Sequence, residues 1–208
     1  MTVKVIGSPT LTVVGFAVLS RQKSVVQGGS GTDCARAGLP VPNSITPPTT
    51  SMVNNAAVTG GVPQEPTRVD PATIRTVLET NVLGVVRVTN AMLPLLRRSA
   101  SPRIVMMSSG VGSLTRQTDP DGEVGPISAA YAPSKTMLNA VLIQYAKELR
   151  GTNILINAAC PGYVATDLNG HRGTRTPEQG AAIAIRLATL PDDGPTGGFF
   201  EDAGVVPW

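Results

Sequence analysis

The chain is poor in the residues that build metal sites and disulfides. It has 208 residues, with one histidine, His171, two cysteines, Cys34 and Cys160, and no CxxC pair. Zinc sites are built mainly from such ligands, so an ordinary zinc site is excluded unless several carboxylates contribute. We therefore predict no metal site. We also expect reduced thiols in a cytoplasmic protein, because disulfides are rare in that compartment.

A strong net charge and long apolar runs are also absent. The 17 basic and 14 acidic residues leave a net charge of +3 without a basic cluster, so no nucleic-acid partner is predicted. The apolar stretch Val13–Leu19 falls far short of the roughly 20 residues that cross a bilayer, so we expect no membrane span and no secretory signal. The 41% hydrophobic and 15% charged residues fit a single compact domain, residues 1–208.

From Ser51 onward, short β-branched runs alternate with helical periodicity. This pattern is typical of βα units around a parallel sheet, so we predict the α/β class. The predicted strands are 51–53, 103–107 and 154–158, the predicted helices are 71–96, 129–150 and 177–190, a polar surface loop spans 115–125, and a Gly-rich tail with one short strand spans 196–206.

Residues 1–50 have a different composition. They contain five prolines, and four basic residues stand against one acidic residue, whereas residues 51–208 hold 13 of each sign. Proline interrupts helical periodicity, so no amphipathic helix is predicted in this segment.

Tyr131 and Lys135 form the first candidate catalytic pair. A spacing of four residues places both side chains on one face of a helix, one turn apart. A cation beside a phenol favours phenolate and lowers a pKa that is otherwise about 10, which suits acid or base chemistry near neutral pH. Taken alone, this spacing also arises by chance on exposed helices.

The order of further motifs along the chain supports a catalytic interpretation of Tyr131 and Lys135. Asn54-Asn55-Ala56-Ala57 follows a strand, Asn81 lies on a helix, Ser109 ends a strand, and Pro161-Gly162-x-x-x-Thr166 follows the tyrosine and lysine. Residues 51–208 thereby resemble the short-chain dehydrogenase/reductase family. The 22 positions between Ser109 and Tyr131, with the tail Gly197-Gly198-Phe199-Phe200, resemble its carbonyl-reductase-like branch. The resemblance implies a Rossmann-like parallel sheet flanked by helices.

The resemblance also implies roles for four residues. Tyr131 would protonate the substrate carbonyl as hydride arrives from a nicotinamide, or act as the base in the reverse direction. Lys135 would lower the pKa of Tyr131 and hold the nicotinamide ribose. Ser109 would polarise the carbonyl, unless it only caps a turn. Asn81 would break its helix and hold a water in a proton relay, unless it is a polar residue tolerated at a kink.

Two segments are implied to contact the cofactor. Pro161, Gly162, Val164 and Thr166 resemble the segment that packs against the nicotinamide, where a glycine lets backbone approach closely; a plain strand-to-helix turn is the alternative. Asn55, Ala56 and Ala57 correspond to an Asn-Asn-Ala-Gly motif that touches the adenosine side. Ala57 stands where the family has glycine.

The glycine turn that binds pyrophosphate in this family is missing. Gly28-Gly29-Ser30-Gly31 has the wrong spacing, and fifty residues are too few for two βαβ units, so we predict that the N-terminal βαβ portion is degenerate or incomplete. Residues 1–50 are either an out-of-frame or rearranged segment, or a diverged start with strands at 3–6, 11–19 and 24–27. The branch resemblance points to NADP, with NAD possible.

These patterns predict an NAD(P)-dependent oxidoreductase that acts on a small-molecule carbonyl or alcohol. The alternative is a catalytically silent relative without a working dinucleotide site, acting as a partner-binding subunit or without function. The resemblance also implies a homo-oligomer, formed through the helices that carry Asn81 and Tyr131. A substrate lid is expected in the loop 115–125 and after Thr166, with His171 as a surface residue.

Overall fold

The structure is a computed structural model that describes residues 12–13, 16–21, 49–122 and 125–208. Within these ranges one sheet contains seven strands, which lie side by side in chain order. The strands are β1 (Thr12–Val13), β2 (Phe16–Arg21), β3 (Thr49–Asn54), β4 (Arg103–Met107), β5 (Leu155–Ala159), β6 (Phe199–Glu201) and β7 (Gly204–Val205).

The centre of the sheet is parallel, as the sequence predicts. Strands β3 to β6 run parallel, with Val53 beside Val105 and Val105 beside Asn157. The edges are antiparallel, because β2 pairs in the opposite direction with both β1 and β3, and β6 turns back into β7. The predicted strands on the central sheet are confirmed, with ends shifted by one or two residues.

The helices and turns cover the two faces of the sheet. α1 begins after Asp70, whose side chain accepts from the Ala72 amide at 2.8 Å, and a π-helical turn then leads directly into α2. The bounds are α1 (Pro71–Leu78), the π-helical turn (Glu79–Gly84), α2 (Val85–Leu96), α3 (Leu114–Gln117), α4 (Tyr131–Glu148) and α5 (Pro177–Ala188), with 3₁₀ turns at Gly110–Gly112 and Asp167–Asn169.

Alternate residues of the strands build two cores. Met52, Ile104 and Ile156 face one side of the sheet, where side chains of α2 and α4 cover them. Val53 and Val105 face the other side, where α5 packs. Both faces of the central strands are buried, and this explains why β4 is a continuous apolar run after Arg103 rather than an alternating one.

Two predictions about the connections need correction. The stretch 115–125 is not all loop, since α3 covers its start and is capped by the Ser113 side chain.

Of the three N-terminal strands in the diverged alternative, 11–19 contains β1 and the start of β2, whereas 3–6, 24–27 and the glycines 28–31 lie outside the described residues. β2 is antiparallel to β3, so it is not the first strand of a βαβ unit, which requires parallel pairing. In the described ranges, no helix is long and apolar enough to cross a membrane.

Candidate active site

The predicted catalytic residues meet at the carboxyl edge of the parallel strands. Ser109 follows β4, Cys160 follows β5, and Tyr131 begins α4. Carboxyl ends of parallel strands share one edge of a sheet, and ligands of open α/β folds bind there. A cavity of about 310 Å³ lies near the other end of α4, between Lys147 and Thr196, and is remote from this chemistry.

Tyr131 is held as a neutral phenol. Burial raises the pKa of Tyr131 to about 12, and the nearby Ser109 side chain partly offsets this effect. A buried phenol is harder to ionise because the phenolate loses its hydration. At neutral pH Tyr131 is therefore protonated and next to a second hydroxyl, an arrangement suited to donating a proton to an oxygen between them.

Lys135 lies one turn further along α4 and is buried. Its Nζ donates to the carbonyl of Met107 at 2.7 Å and lies 5.5 Å from the centre of the Tyr131 ring. Desolvation lowers the pKa of Lys135 to about 8. The expectation that Lys135 lowers the pKa of Tyr131 is wrong for this structure, because burial of the phenol dominates and Lys135 is anchored to β4 instead.

The loop that carries Ser109 is fastened to α4 by residues that the sequence analysis did not identify. Ser108 donates to Asn139 Oδ1 at 2.6 Å, and Asn139 Nδ2 donates to the Gly112 carbonyl at 3.2 Å. A Cβ on Gly112 would lie 3.0 Å from the backbone of Lys135, so glycine permits the close approach. Asn139 is four residues after Lys135, and a polar residue on the buried face of an apolar helix is the pattern that could have found it.

Asn81 lies in the π-helical turn, so the predicted local break of the helix is confirmed. Its fully buried amide exchanges two hydrogen bonds of 2.9 Å with the backbone of Val58, and its Nδ2 also donates to Ser134 Oγ at 2.9 Å. Ser134 in turn donates to the Tyr131 carbonyl at 2.6 Å. Asn81 thus reaches the first turn of α4 through Ser134. Its role as a water ligand stays a prediction.

The segment 161–166 follows β5 and lies at the same edge. Gly162 has φ of 74°, and a Cβ there would lie 2.8 Å from the Arg175 side chain. Val164 packs against Gly180 of α5, where a Cβ would lie 2.4 Å from its side chain. The positive φ is a backbone conformation that favours glycine at this position. The cofactor approach expected from the motif stays a prediction. Thr166 precedes the 3₁₀ turn and accepts from the Asn169 amide through its carbonyl at 3.2 Å.

Residues 55–57 follow β3. Asn55 is exposed, and Ala56 and Ala57 are half-buried. The preceding Asn54 is buried. Its Nδ2 donates to Thr89 Oγ1 at 3.1 Å, and its Oδ1 has no hydrogen-bond partner within the described ranges. This segment adjoins the site, but no contact places Tyr131 or Lys135 against it.

Three charged or titratable groups complete the surroundings. Arg116 forms a bidentate ion pair with Glu201, at 3.0 and 2.7 Å, across the carboxyl edge of the sheet. Cys160 is buried and its thiol pKa is raised by burial. His171 is exposed, as predicted, and pairs with Asp167. Among the residues that the structure describes, no cluster of ligands suits a metal ion.

The donor set fits the nicotinamide half of a dinucleotide. Lys135 has three Nζ donors, of which the Met107 carbonyl takes one in the described part of the chain, and the others suit the hydroxyls of a ribose. The segment 161–166 flanks this position at the end of β5. The described residues supply no glycine turn at a helix N-terminus for the pyrophosphate, the arrangement that dinucleotide folds use.

Comparisons with known proteins match the part of the chain that carries the candidate site residues. A family model described as short chain dehydrogenase matches residues 45–176, more than half of the chain, beginning close to the boundary predicted at Ser51. Short-chain dehydrogenase/reductase 1 of Saponaria officinalis is 36% identical over 165 residues, which cover 63% of this chain and 54% of the relative. Carbonyl reductase (NADPH) 1 of Mus musculus is 44% identical over 92 residues, which cover 41% of this chain and 33% of that relative.

The fold is also shared with solved structures. The carbonyl reductase Sniffer of D. melanogaster has a TM-score of 0.64 and 26% identity, and the match covers 76% of this chain and 66% of that chain. The chain spans about half the length of the curated relatives it matches.

Proposed function

The chain belongs to the short-chain dehydrogenase family, and on that premise we propose that it is an NAD(P)-dependent oxidoreductase acting on a carbonyl or secondary alcohol. The observation that carries the proposal is the protonated phenol of Tyr131 beside the Ser109 side chain, with the buried Lys135 ammonium 5.5 Å from the centre of the Tyr131 ring. These three groups match the acid, the carbonyl-polarising donor and the ribose-binding cation of the family in both order and proximity.

Each residue has one task in this proposal. Tyr131 donates its proton to the substrate oxygen, and Ser109 donates a hydrogen bond to the same oxygen, where negative charge develops. Lys135 holds the ribose hydroxyls, and 161–166 orients the nicotinamide ring beside the substrate. When bound, the nicotinamide supplies the hydride. Asn81 keeps the first turn of α4 in place through Ser134.

Reduction of a carbonyl is the proposed direction. With a pKa of about 12, Tyr131 carries its proton throughout the physiological range and is ready as an acid. Alcohol oxidation instead needs the phenolate, which burial disfavours. The protonated state of Tyr131 thus favours carbonyl reduction, in which Tyr131 donates a proton to the substrate.

NADPH is the proposed cofactor. The mouse relative is named for NADPH, and the carbonyl-reductase-like features Gly197 and Gly198 support the same choice. The residue that would select the ribose phosphate is not located in the sequence, so NADH is the comparison to make.

We further propose that the chain assembles with itself. A groove of about 260 Å³ between α2 and α4, lined by Val86, Asn90, Val141 and Tyr145 among others, lies on the helices that the family resemblance assigns to assembly. Light scattering coupled to gel filtration measures the mass directly, and a monomer at all concentrations would contradict this. The cytoplasmic location stays a prediction.

The decisive experiment is titration of the purified chain with NADPH and NADH, followed by thermal shift and nicotinamide fluorescence. We expect saturable binding, tighter for NADPH, and turnover of part of a panel of aldehydes and ketones. Tyr131→Phe should abolish turnover and leave NADPH affinity nearly unchanged, because the ring remains and only the hydroxyl that donates the proton is lost. A folded chain that binds neither nucleotide would favour the catalytically silent alternative.

A further inference from the structure

The loop 58–64, which leaves the carboxyl end of β3, is tied to the start of α4 at both of its ends. At Val58 it is held by the Asn81 amide, which also reaches Ser134 on α4. At its other end Gln64 contacts the residues just before Tyr131. The loop therefore lies between the π-helical turn and the catalytic helix.

Gln64 makes contacts in two directions. Its Nε2 donates to the carbonyls of Thr59 and Gly61, at 3.1 and 2.5 Å, which folds the loop around the side chain. Its Oε1 accepts from the Ala130 amide at 3.1 Å, and its backbone carbonyl accepts from the Ala129 amide at 2.9 Å. Gln64 thus accepts hydrogen bonds from the backbone amides of the two residues that immediately precede Tyr131.

These contacts solve a problem at the start of α4. The first amides of a helix lack partners within the helix, and a Ser, Thr, Asp or Asn at the N-cap usually supplies one. Here the N-cap is Ala130, which has no side-chain acceptor and is fully buried. The amide that Gln64 pairs is that of Ala130 itself, whereas the Ala132 amide in the first turn donates to the Ser128 carbonyl at 3.1 Å. Gln64 thus anchors the residue from which the helix begins.

We propose that Gln64 is a positioning residue for Tyr131, setting the phenol against Ser109 and above Lys135 by anchoring Ala129 and Ala130. This inference rests on the proposed role of Tyr131 as the proton donor. Gln64 itself touches neither Tyr131 nor Lys135 through its side chain, so it acts through the backbone of α4.

The test compares Gln64→Ala, Gln64→Glu and, as a matched control, Glu65→Ala. Gln64→Ala removes the acceptor. Gln64→Glu keeps an acceptor for the Ala130 amide but removes the Nε2 donor to the carbonyls of Thr59 and Gly61, so it restores only one of the two sets of contacts. Glu65 is the neighbouring residue and pairs with Arg68 on the surface at 3.2 Å, away from α4.

We expect Gln64→Ala to lower kcat at least tenfold, with NADPH affinity and the KM for the carbonyl little changed. Gln64→Glu should recover part of the loss, and Glu65→Ala should match the wild type. A kcat of Gln64→Ala equal to that of the control would refute the positioning role.

A second readout does not depend on turnover. In wild type, hydrogen exchange should show protection of the Ala130 amide, lost in Gln64→Ala and kept in Gln64→Glu. Ultraviolet titration of the phenol, taken as the difference from Tyr131→Phe, should show a changed Tyr131 ionisation only in Gln64→Ala. If the wild type has no turnover, the proposed function fails while these two measurements still decide the role of Gln64. Unchanged exchange and ionisation in Gln64→Ala would contradict it.

Discussion

Lys135 Nζ donates to the backbone carbonyl of Met107, the last residue of β4, at 2.7 Å. The bond joins the catalytic helix to the strand that leads into Ser109. The ammonium is buried, so its charge is costly, and desolvation lowers its pKa to about 8. A group that titrates so near neutrality gives the site a pH dependence that an exposed lysine would not have.

NADPH affinity should therefore weaken at alkaline pH. The ammonium holds the ribose only while protonated, so affinity is retained below pH 8 and lost as pH rises through the pKa of about 8. Between pH 7 and pH 9 we expect the Kd, measured by nicotinamide fluorescence, to rise about tenfold. Lys135→Met should bind weakly with no alkaline change over this range. An affinity independent of pH in the wild type would show that Lys135 does not hold the cofactor.

Substitutions of the two serines after β4 should differ in effect, one lowering kcat and the other lowering Tm. Ser109→Ala should lower kcat by about 10²-fold, because a donor to the developing oxyanion is removed, with little effect on Tm. Ser108→Ala breaks the 2.6 Å bond to Asn139 and should mainly lower Tm. Steady-state kinetics and thermal unfolding of both variants check this. The opposite pattern would mean that Ser108 is the polarising residue.

Glu201→Gln should affect substrate binding more than stability. The Arg116 guanidinium lies 3.3 Å from the position of a Cβ on Gly110, next to Ser109, and Glu201 holds it from β6. The pair is partly exposed, so its loss should lower the free energy of unfolding by at most about 1 kcal/mol. The released Arg116 guanidinium should raise the KM for the carbonyl about fivefold. Glu79→Gln, which breaks the exposed pair with Arg87, is the control and should change nothing. Equal kinetics in the two variants would remove Arg116 from the site.

Arg103 should matter for folding and not for catalysis. It is 2% exposed at the amino end of β4, and its guanidinium donates to the carbonyls of Leu190 and Pro102 and pairs with Asp192 at 2.6 Å. Arg103→Met leaves buried acceptors unpaired and should lower the free energy of unfolding by about 2–3 kcal/mol. Asp192→Asn, at an exposed carboxylate, should cost much less than Arg103→Met. Urea unfolding measures both, and similar losses would mean that the ion pair outweighs the carbonyl bonds.

Local pattern was enough to predict the central elements. The run of apolar residues in β4, the Asp70-Pro71 start of α1 and the apolar face of α4 are short-range features, and each element forms where they predict it. Periodicity does not predict α3, because four residues are too few to show one, and its local signal is the cap at Ser113. The antiparallel pairing of β2 with β3 joins residues about 28 to 38 positions apart, from Arg21 with Thr49 to Phe16 with Asn54, and no local pattern encodes it.

The sequence by itself determined the family, the α/β class and the identity of Tyr131, Lys135, Ser109 and Asn81 as candidates, because motif order and spacing are properties of the chain. The tertiary structure alone decided how these residues are held. Burial, not the lysine, governs the pKa of Tyr131, and the positive φ of Gly162 follows from the turn after β5. The links of Gln64 and Ser134 to α4 follow only from tertiary contacts. The physical reason is that desolvation and hydrogen bonding depend on which distant segments surround a group, and spacing along the chain does not specify that.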